Sequence, residues 1–116
     1  YAAGGILSTA PDVAHFTHVL FSGQFLANES LAEMQTFVDA PEGDAPWQTG
    51  YGLGIRRFVV SGEEVIGHTG SIPGHSGIAM HNAAKGYTIV ILSNRSVIEQ
   101  KQLFEEVQKQ VLDWEP

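Results

Sequence analysis

The strongest constraint on this chain is a change of period near residue 51. From there to residue 93, four β-favouring runs follow one another, at 51–60, 64–69, 76–81 and 87–93. The spacers between them are built on Ser-Gly-Glu, Ser-Ile-Pro-Gly-His and Ala-Ala-Lys-Gly. Connections this short join antiparallel neighbours, because a parallel pair needs a crossover of about a dozen residues or more. An antiparallel sheet of about four strands follows. In the last run Tyr87, Ile89 and Ile91 alternate with Val90 and Leu92, so both faces are apolar. That pattern predicts a strand covered on both sides and lying inside the sheet.

Helices are the available cover. Ser8-Thr9-Ala10-Pro11-Asp12 is a helix-start signal: a hydroxyl to cap free N–H groups, a proline for the first turn and an acid for the positive end of the dipole. A helix over 10–21 is predicted, with Val13, Phe16 and Leu20, widened by Ala10, Ala14 and Phe21, as its core face and Gly23 as its stop. Ser30-Leu31-Ala32-Glu33 reads as a capping box opening a short second helix to about Phe37. Segment 39–50, rich in Pro, Gly and Asp, reads as a surface loop. Segment 97–114 predicts a closing helix with Val97, Phe104, Val107, Val111 and Trp114 on one face. The fold class is therefore α+β, with a helical segment at 9–38, the sheet at 51–93 and a C-terminal helix packed on it.

Composition bounds what such a fold can do. With 116 residues, 43% of them hydrophobic, the chain can bury one core, and a single domain over 1–116 is expected. Acidic residues outnumber basic ones 13 to 6, and apart from Arg56 and Arg57 the cations are scattered, which argues against nucleic acid as a partner. No cysteine is present, so there is no disulfide or thiolate metal site, and the compartment is left open. The longest apolar run, 89–92, is too short for a membrane span. The chain opens on Tyr1-Ala2-Ala3-Gly4-Gly5 rather than on methionine, and the expectation is a fragment of a larger domain.

Chemistry concentrates between Glu64 and Gly77, where two histidines, two serines, a threonine and four glycines meet. Gly74-His75-Ser76-Gly77 is not a nucleophile elbow: the G-x-S-x-G pattern fails at Ile78, and the segment leads into a strand rather than a helix. The five histidines His15, His18, His68, His75 and His81 carry no metal-ligand spacing, and His15 and His18 are expected on the surface. No metal or cofactor is expected. His68-Thr69-Gly70-Ser71 differs in kind. It sits at a strand end and joins a titratable ring, a hydroxyl and a glycine that lets a substrate approach the backbone. Taken alone, the same string also reads as a strand end turning into Pro73-Gly74.

Four blocks in order carry a resemblance that decides between these readings. Residues 3–16 resemble a "GG-L-x-S-T-x-x-D-L-x-x-F" block. Tyr51-Gly52-Leu53-Gly54-Ile55 is similar to a Y-G-L-G-W segment, and Gly67-His68-Thr69-Gly70-Ser71-Ile72-Pro73-Gly74 to a G-H-T-G-x-x-P-G block. Val90-Ile91-Leu92-Ser93-Asn94 resembles the hydrophobic strand ending in asparagine that follows. The family so resembled is that of the penicillin-recognising serine hydrolases: class C β-lactamases and D,D-peptidases with related esterases and D-aminopeptidases.

The resemblance implies a β-lactamase/transpeptidase-like fold and an active site of three motifs: a serine in S-x-x-K, a Y-x-N or S-x-N base element, and a K-T-G strand that reads H-T-G in many members. Only the third is here. No serine has lysine three positions on, and Tyr1, Tyr51 and Tyr87 are followed at the second position by Ala3, Leu53 and Ile89. The resemblance then gives His68 the place of a substrate-orienting lysine or histidine and Thr69 a supporting hydrogen bond. The backbone N–H of Ser71 becomes an oxyanion-hole donor. The implied partner is a small acyl substrate, an ester, D-amino-acid peptide or β-lactam, met by the full-length parent. The expected isolated chain is inactive and open to dimerisation through an uncovered sheet edge or face. Imidazole titrates near pH 6.5, so His68 offers no fixed cation for a substrate carboxylate, which favours an esterase or D-aminopeptidase over a dedicated β-lactamase. A non-catalytic domain of the same fold is the alternative. A bacterial extracytoplasmic location is compatible with the resemblance.

Overall fold

Thr9 opens α1 (Ala10–Phe21) as its sequence predicts, accepting the Asp12 N–H at 3.3 Å, with proline in the first turn. This is the first element of a computed structural model that describes residues 3–40 and 47–114. After α1 come α2 (Asn28–Met34), β1 (Val38–Asp39), β2 (Gln48–Tyr51), β3 (Arg56–Val60), β4 (Glu63–Ile72), β5 (His75–Asn82), β6 (Tyr87–Ser93) and α3 (Gln100–Asp113). The strands form one antiparallel sheet in sequence order, β1-β2-β3-β4-β5-β6.

The sheet has six strands where about four are predicted. The run 51–60 is two strands, not one. Tyr51 ends β2 and Arg56 begins β3, and between them the Gly52 N–H donates to the Ile55 carbonyl at 2.8 Å while Gly54 takes φ +71°. Val38 and Asp39 then pair with Tyr51 and Gly50, so both flanks of the expected loop 39–50 are strand; residues 41–46 lie outside the described residues. β4 and β5 run on to a two-residue turn at Pro73-Gly74, absorbing most of the predicted spacer.

β6 lies at the sheet edge, not inside it. A meander with hairpin connections puts its last strand there by construction, and the two apolar faces of β6 record cover by helices above and below rather than strands on both sides. One face carries the core: Phe58, Val60, Val65, Ile78, Met80 and Ile89, closed by Trp47 and by Phe104 of α3. The Trp47 and Phe58 rings lie 4.3 Å apart. Burying a side chain such as Phe104 fully contributes about 1.5–3 kcal/mol. α1 packs on β5 and β6 from the opposite face.

The helices differ from prediction in how they face. In α1, Phe16 is exposed and lies edge-on to Phe25, while Thr17 is buried with its hydroxyl bonded to the Val13 carbonyl at 2.7 Å. The hydroxyl is satisfied within the helix, so a threonine can take an inward position that hydropathy assigns to phenylalanine. α2 begins two residues before Ser30, at Asn28, without a side-chain cap, so the predicted capping box lies inside the helix. α3 begins at Gln100, leaving Val97 out of the helix and exposed, and Trp114 and Val111 are also outside the core. Phe104 and Gln108 point inward, and Gln108 Nε2 donates to the Val60 carbonyl at 3.2 Å.

Candidate functional site

β4 outruns its neighbour. β3 ends at Arg56 opposite Gly67, so residues 68–72 have a strand partner, among the described residues, only on the β5 side. Two tight hairpins fix which groups face the gap. Val60 pairs with Glu63 across one turn and Ile72 with His75 across the other, and the pair flanking a two-residue turn is hydrogen-bonded. Counting from either turn by the alternation of an antiparallel ladder, odd-numbered residues of β4 direct N–H and C=O toward β3 and even-numbered ones toward β5. The main-chain groups of Thr69 and Ser71 therefore point into the space where β3 has stopped. A Cβ built on Gly70 would meet nothing within 4 Å, so the strand is accessible there.

The same alternation sends the His68 side chain to the α1 face of the sheet and those of Thr69 and Ser71 to the α3 face. His68 Nδ1 meets the Thr69 carbonyl, which only accepts, so Nδ1 carries the proton. In the neutral ring Nε2 is then an acceptor, and the Tyr51 hydroxyl donates to it at 3.0 Å. Both ring nitrogens are thus held by the protein. Arg56 brings a guanidinium to the same place: its Nη1 lies 3.3 Å from Thr69 Oγ1, and its charge sits 5.7 Å from the Tyr51 ring centroid.

A cavity of about 340 Å³ lies on the α3 face between Arg56, Thr69, Ser71, Ser96 and Gln100. Another, of about 470 Å³, lies on the α1 face and is walled by His68, Gly70, Gly77, Leu92, Gly4 and Ile6. The end of β4 separates them. A further cavity beside α3, lined by Ser61, Glu106 and Leu112, is remote from this strand end.

All four residues singled out in the sequence, His68, Thr69, Gly70 and Ser71, lie together at this strand end. Sequence reasoning missed three contributors. Tyr51 was visible only as the first letter of the Y-G-L-G block. Arg56 was noted only as one of a pair of cations. Ser96, whose carbonyl accepts Ser71 Oγ at 2.6 Å, carried no signal. His15, His18 and His75 are exposed. His81 is buried, with Nδ1 2.9 Å from Thr88 Oγ1, stacked on Phe21 and edge-on to His18. Burial, and secondarily the neighbouring His18, pushes its pKa below the usual histidine value. Among the described residues no group of three or more His, Asp or Glu side chains is placed to hold a metal ion. Nor is any helix among them long and apolar enough to cross a membrane.

Comparison with known proteins bears on the family and the fold. The family model described as Beta-lactamase matches residues 1–111. A D-stereospecific amidohydrolase from Streptomyces sp. is 32% identical, with a TM-score of 0.71 over 83% of this chain and 28% of its own. A D-amino acid amidase from Ochrobactrum anthropi SV3, solved with D-phenylalanine, superposes with a TM-score of 0.77 at 25% identity, over 92% of this chain and 36% of its own. The same amidase with L-phenylalanine gives a TM-score of 0.81 at 23% identity, over 91% and 32%. The chain thus spans about a third of the length of the solved structures it matches.

Proposed function

The chain belongs to the β-lactamase family, and from that premise we propose that it supplies the H-T-G wall of a serine acyl hydrolase acting on D-amino acid amides or related small acyl compounds. The observation that carries this reading is the free run of β4 past the end of β3, with the Thr69 and Ser71 main-chain groups turned into the gap beside an anchored His68.

In the proposed reaction a serine from outside these 116 residues attacks the substrate carbonyl, and the negative charge that develops on its oxygen is taken by the Ser71 N–H together with the serine's own N–H. Collapse of this adduct breaks the bond from the carbonyl carbon to the amide nitrogen or ester oxygen, the serine's proton leaves with the amine or alcohol, and water then hydrolyses the acyl-serine to the free acid and the serine. A preorganised donor of this kind is worth about 3–4 kcal/mol of transition-state stabilisation. His68 orients rather than binds. With Nδ1 and Nε2 both engaged, its ring braces Tyr51 and the Thr69 carbonyl at the site entrance. Arg56 places a guanidinium beside Thr69, where its Nη1 holds the Thr69 hydroxyl. The H-T-G sequence and the names of the amidohydrolase and amidase neighbours favour amide and ester substrates over β-lactams.

The test is hydrolysis by the full-length protein that carries this chain. D-Phenylalanine amide and a p-nitrophenyl ester should turn over, penicillin poorly, and His68→Ala should lower kcat/KM by about 10²-fold through lost positioning. Penicillin turnover exceeding that of the amide would sink the substrate assignment. Full turnover by His68→Ala would remove His68 from the site.

A further inference from the structure

The tip of the β4–β5 hairpin projects beyond β3, so on that side no strand among the described residues steadies the backbone that carries Ser71. What meets it instead is the segment between β6 and the start of α3. Ser71 Oγ donates to the Ser96 carbonyl at 2.6 Å, and the Gly74 N–H donates to Ser96 Oγ. Ser76 Oγ donates to the Arg95 carbonyl at 2.7 Å, and Gln100 Nε2 donates to the Gly70 carbonyl at 3.3 Å. Three residues of the segment 95–100, namely Arg95, Ser96 and Gln100, thus bind four of the residues from Gly70 to Ser76. Ser96 alone is engaged through both its main chain and its side chain.

We propose that Ser96 is a positioning residue: it ties the hairpin turn to the 95–100 segment and so fixes the direction of the Ser71 N–H. The inference rests on the reading of Ser71 given above. The physical argument is one of precision. Gly74 sits in the turn at φ +86°, a conformation in which glycine is unhindered, and its N–H is held by a hydroxyl across space rather than by a ladder. A hairpin tip with one free side pivots about its last ladder bonds. A donor that has lost its direction forfeits a large part of its stabilisation of an oxyanion, because that stabilisation depends on the donor being in place before charge develops. Bonds at an exposed position contribute little to global stability, so their removal should show in rate rather than in melting.

The experiment compares Ser96→Ala and Ser96→Thr with the wild type in the full-length protein. It follows hydrolysis of a D-phenylalanine p-nitroanilide, affinity for an aryl boronic acid that forms a tetrahedral adduct, and affinity for D-phenylalanine, which forms none. Ser96→Ala should lower kcat and weaken the boronate by about tenfold each, well short of the loss on removing a donor outright, with KM and D-phenylalanine affinity within about twofold. Ser96→Thr, which keeps the hydroxyl, should restore both, and amide exchange at 70–76 should speed up only in the alanine variant. Ser96→Ala with kcat and boronate affinity unchanged overturns the proposal, as does an equal loss for boronate and D-phenylalanine. A wild type that hydrolyses nothing and binds no boronate overturns the H-T-G reading itself, and this inference with it.

Discussion

The two halves of β4 contrast sharply although they belong to one strand. Residues 63–67 all pair with β3, and Ile66 and Gly67 pair with β5 as well, with Val65 fully buried and Ile66 nearly so. At their outer end Lys85 Nζ lies 2.9 Å from the Glu63 carboxylate and Asn82 donates to it at 3.1 Å, and the lysine bond first of all holds the Glu63 carboxyl below its ordinary pKa. Residues 68–72 have one strand partner, open space at Gly70, and contacts from side chains and carbonyls that belong to no strand. Burial and the β3 ladder stabilise the inner half. Past the end of β3, the Thr69 and Ser71 main-chain groups face a side with no strand among the described residues.

The contrast breaks first if stability does not follow the inner half. Phe58 faces Val65 across the ladder, is fully buried and packs at a tilt against the Trp47 ring. Phe58→Ala should cost about 3–5 kcal/mol of unfolding free energy, read from urea denaturation. His68→Ala, on the outer half, should move the same measurement by less than about 1 kcal/mol. Equal losses would mean that the two halves are one cooperative unit.

Gly67 stands at the boundary, and a substitution there sharpens the comparison. A Cβ at this position would lie 1.9 Å from the Ala79 carbonyl oxygen, which is backbone and cannot swing aside. Gly67→Ala should therefore force β4 and β5 apart, with a loss of about 3 kcal/mol in denaturation and of hydrolysis by the full-length protein. A variant that keeps its stability and loses only activity would show that the strain is absorbed by the outer half alone.

The reach of the sequence follows the same division. Hairpin spacers, alternation and the Thr9 cap are local signals, so β4 to β6 and the start of α1 were legible. β1 was not, because two residues become a strand only through their pairing with Gly50 and Tyr51. The break between β2 and β3 was hidden in a stretch whose residues all favour strand apart from its glycines. The inward turn of Thr17 depends on a hydrogen bond that hydropathy does not register. At the site, the consecutive motif 68–71 was readable as a string. Its meeting with Arg56 depends on the register that sets Arg56 opposite Gly67, and its meeting with Ser96 depends on a carbonyl, which no side-chain pattern records.

The smallest expected effect separates two histidines that share the α1 face. His68 belongs to the outer half, opposite Ala79, whereas His81 lies opposite Ile66 and is buried against Phe21 and Thr88, with His18 the titratable group that faces it from α1. Because burial holds the folded-state pKa of His81 below its unfolded value, the unfolded chain takes up the proton first as the pH falls. The stabilisation tied to the neutral ring is therefore complete above about pH 6.5 and is lost progressively below it, before carboxylates begin to titrate near pH 4–5. Urea midpoints measured between about pH 8 and pH 5 should decline on the acid side, and His81→Gln should flatten that decline. If His81→Gln leaves the decline in place, the acid response does not come from the buried ring beside Ile66, and the contrast between the buried and the open end of β4 loses this mark.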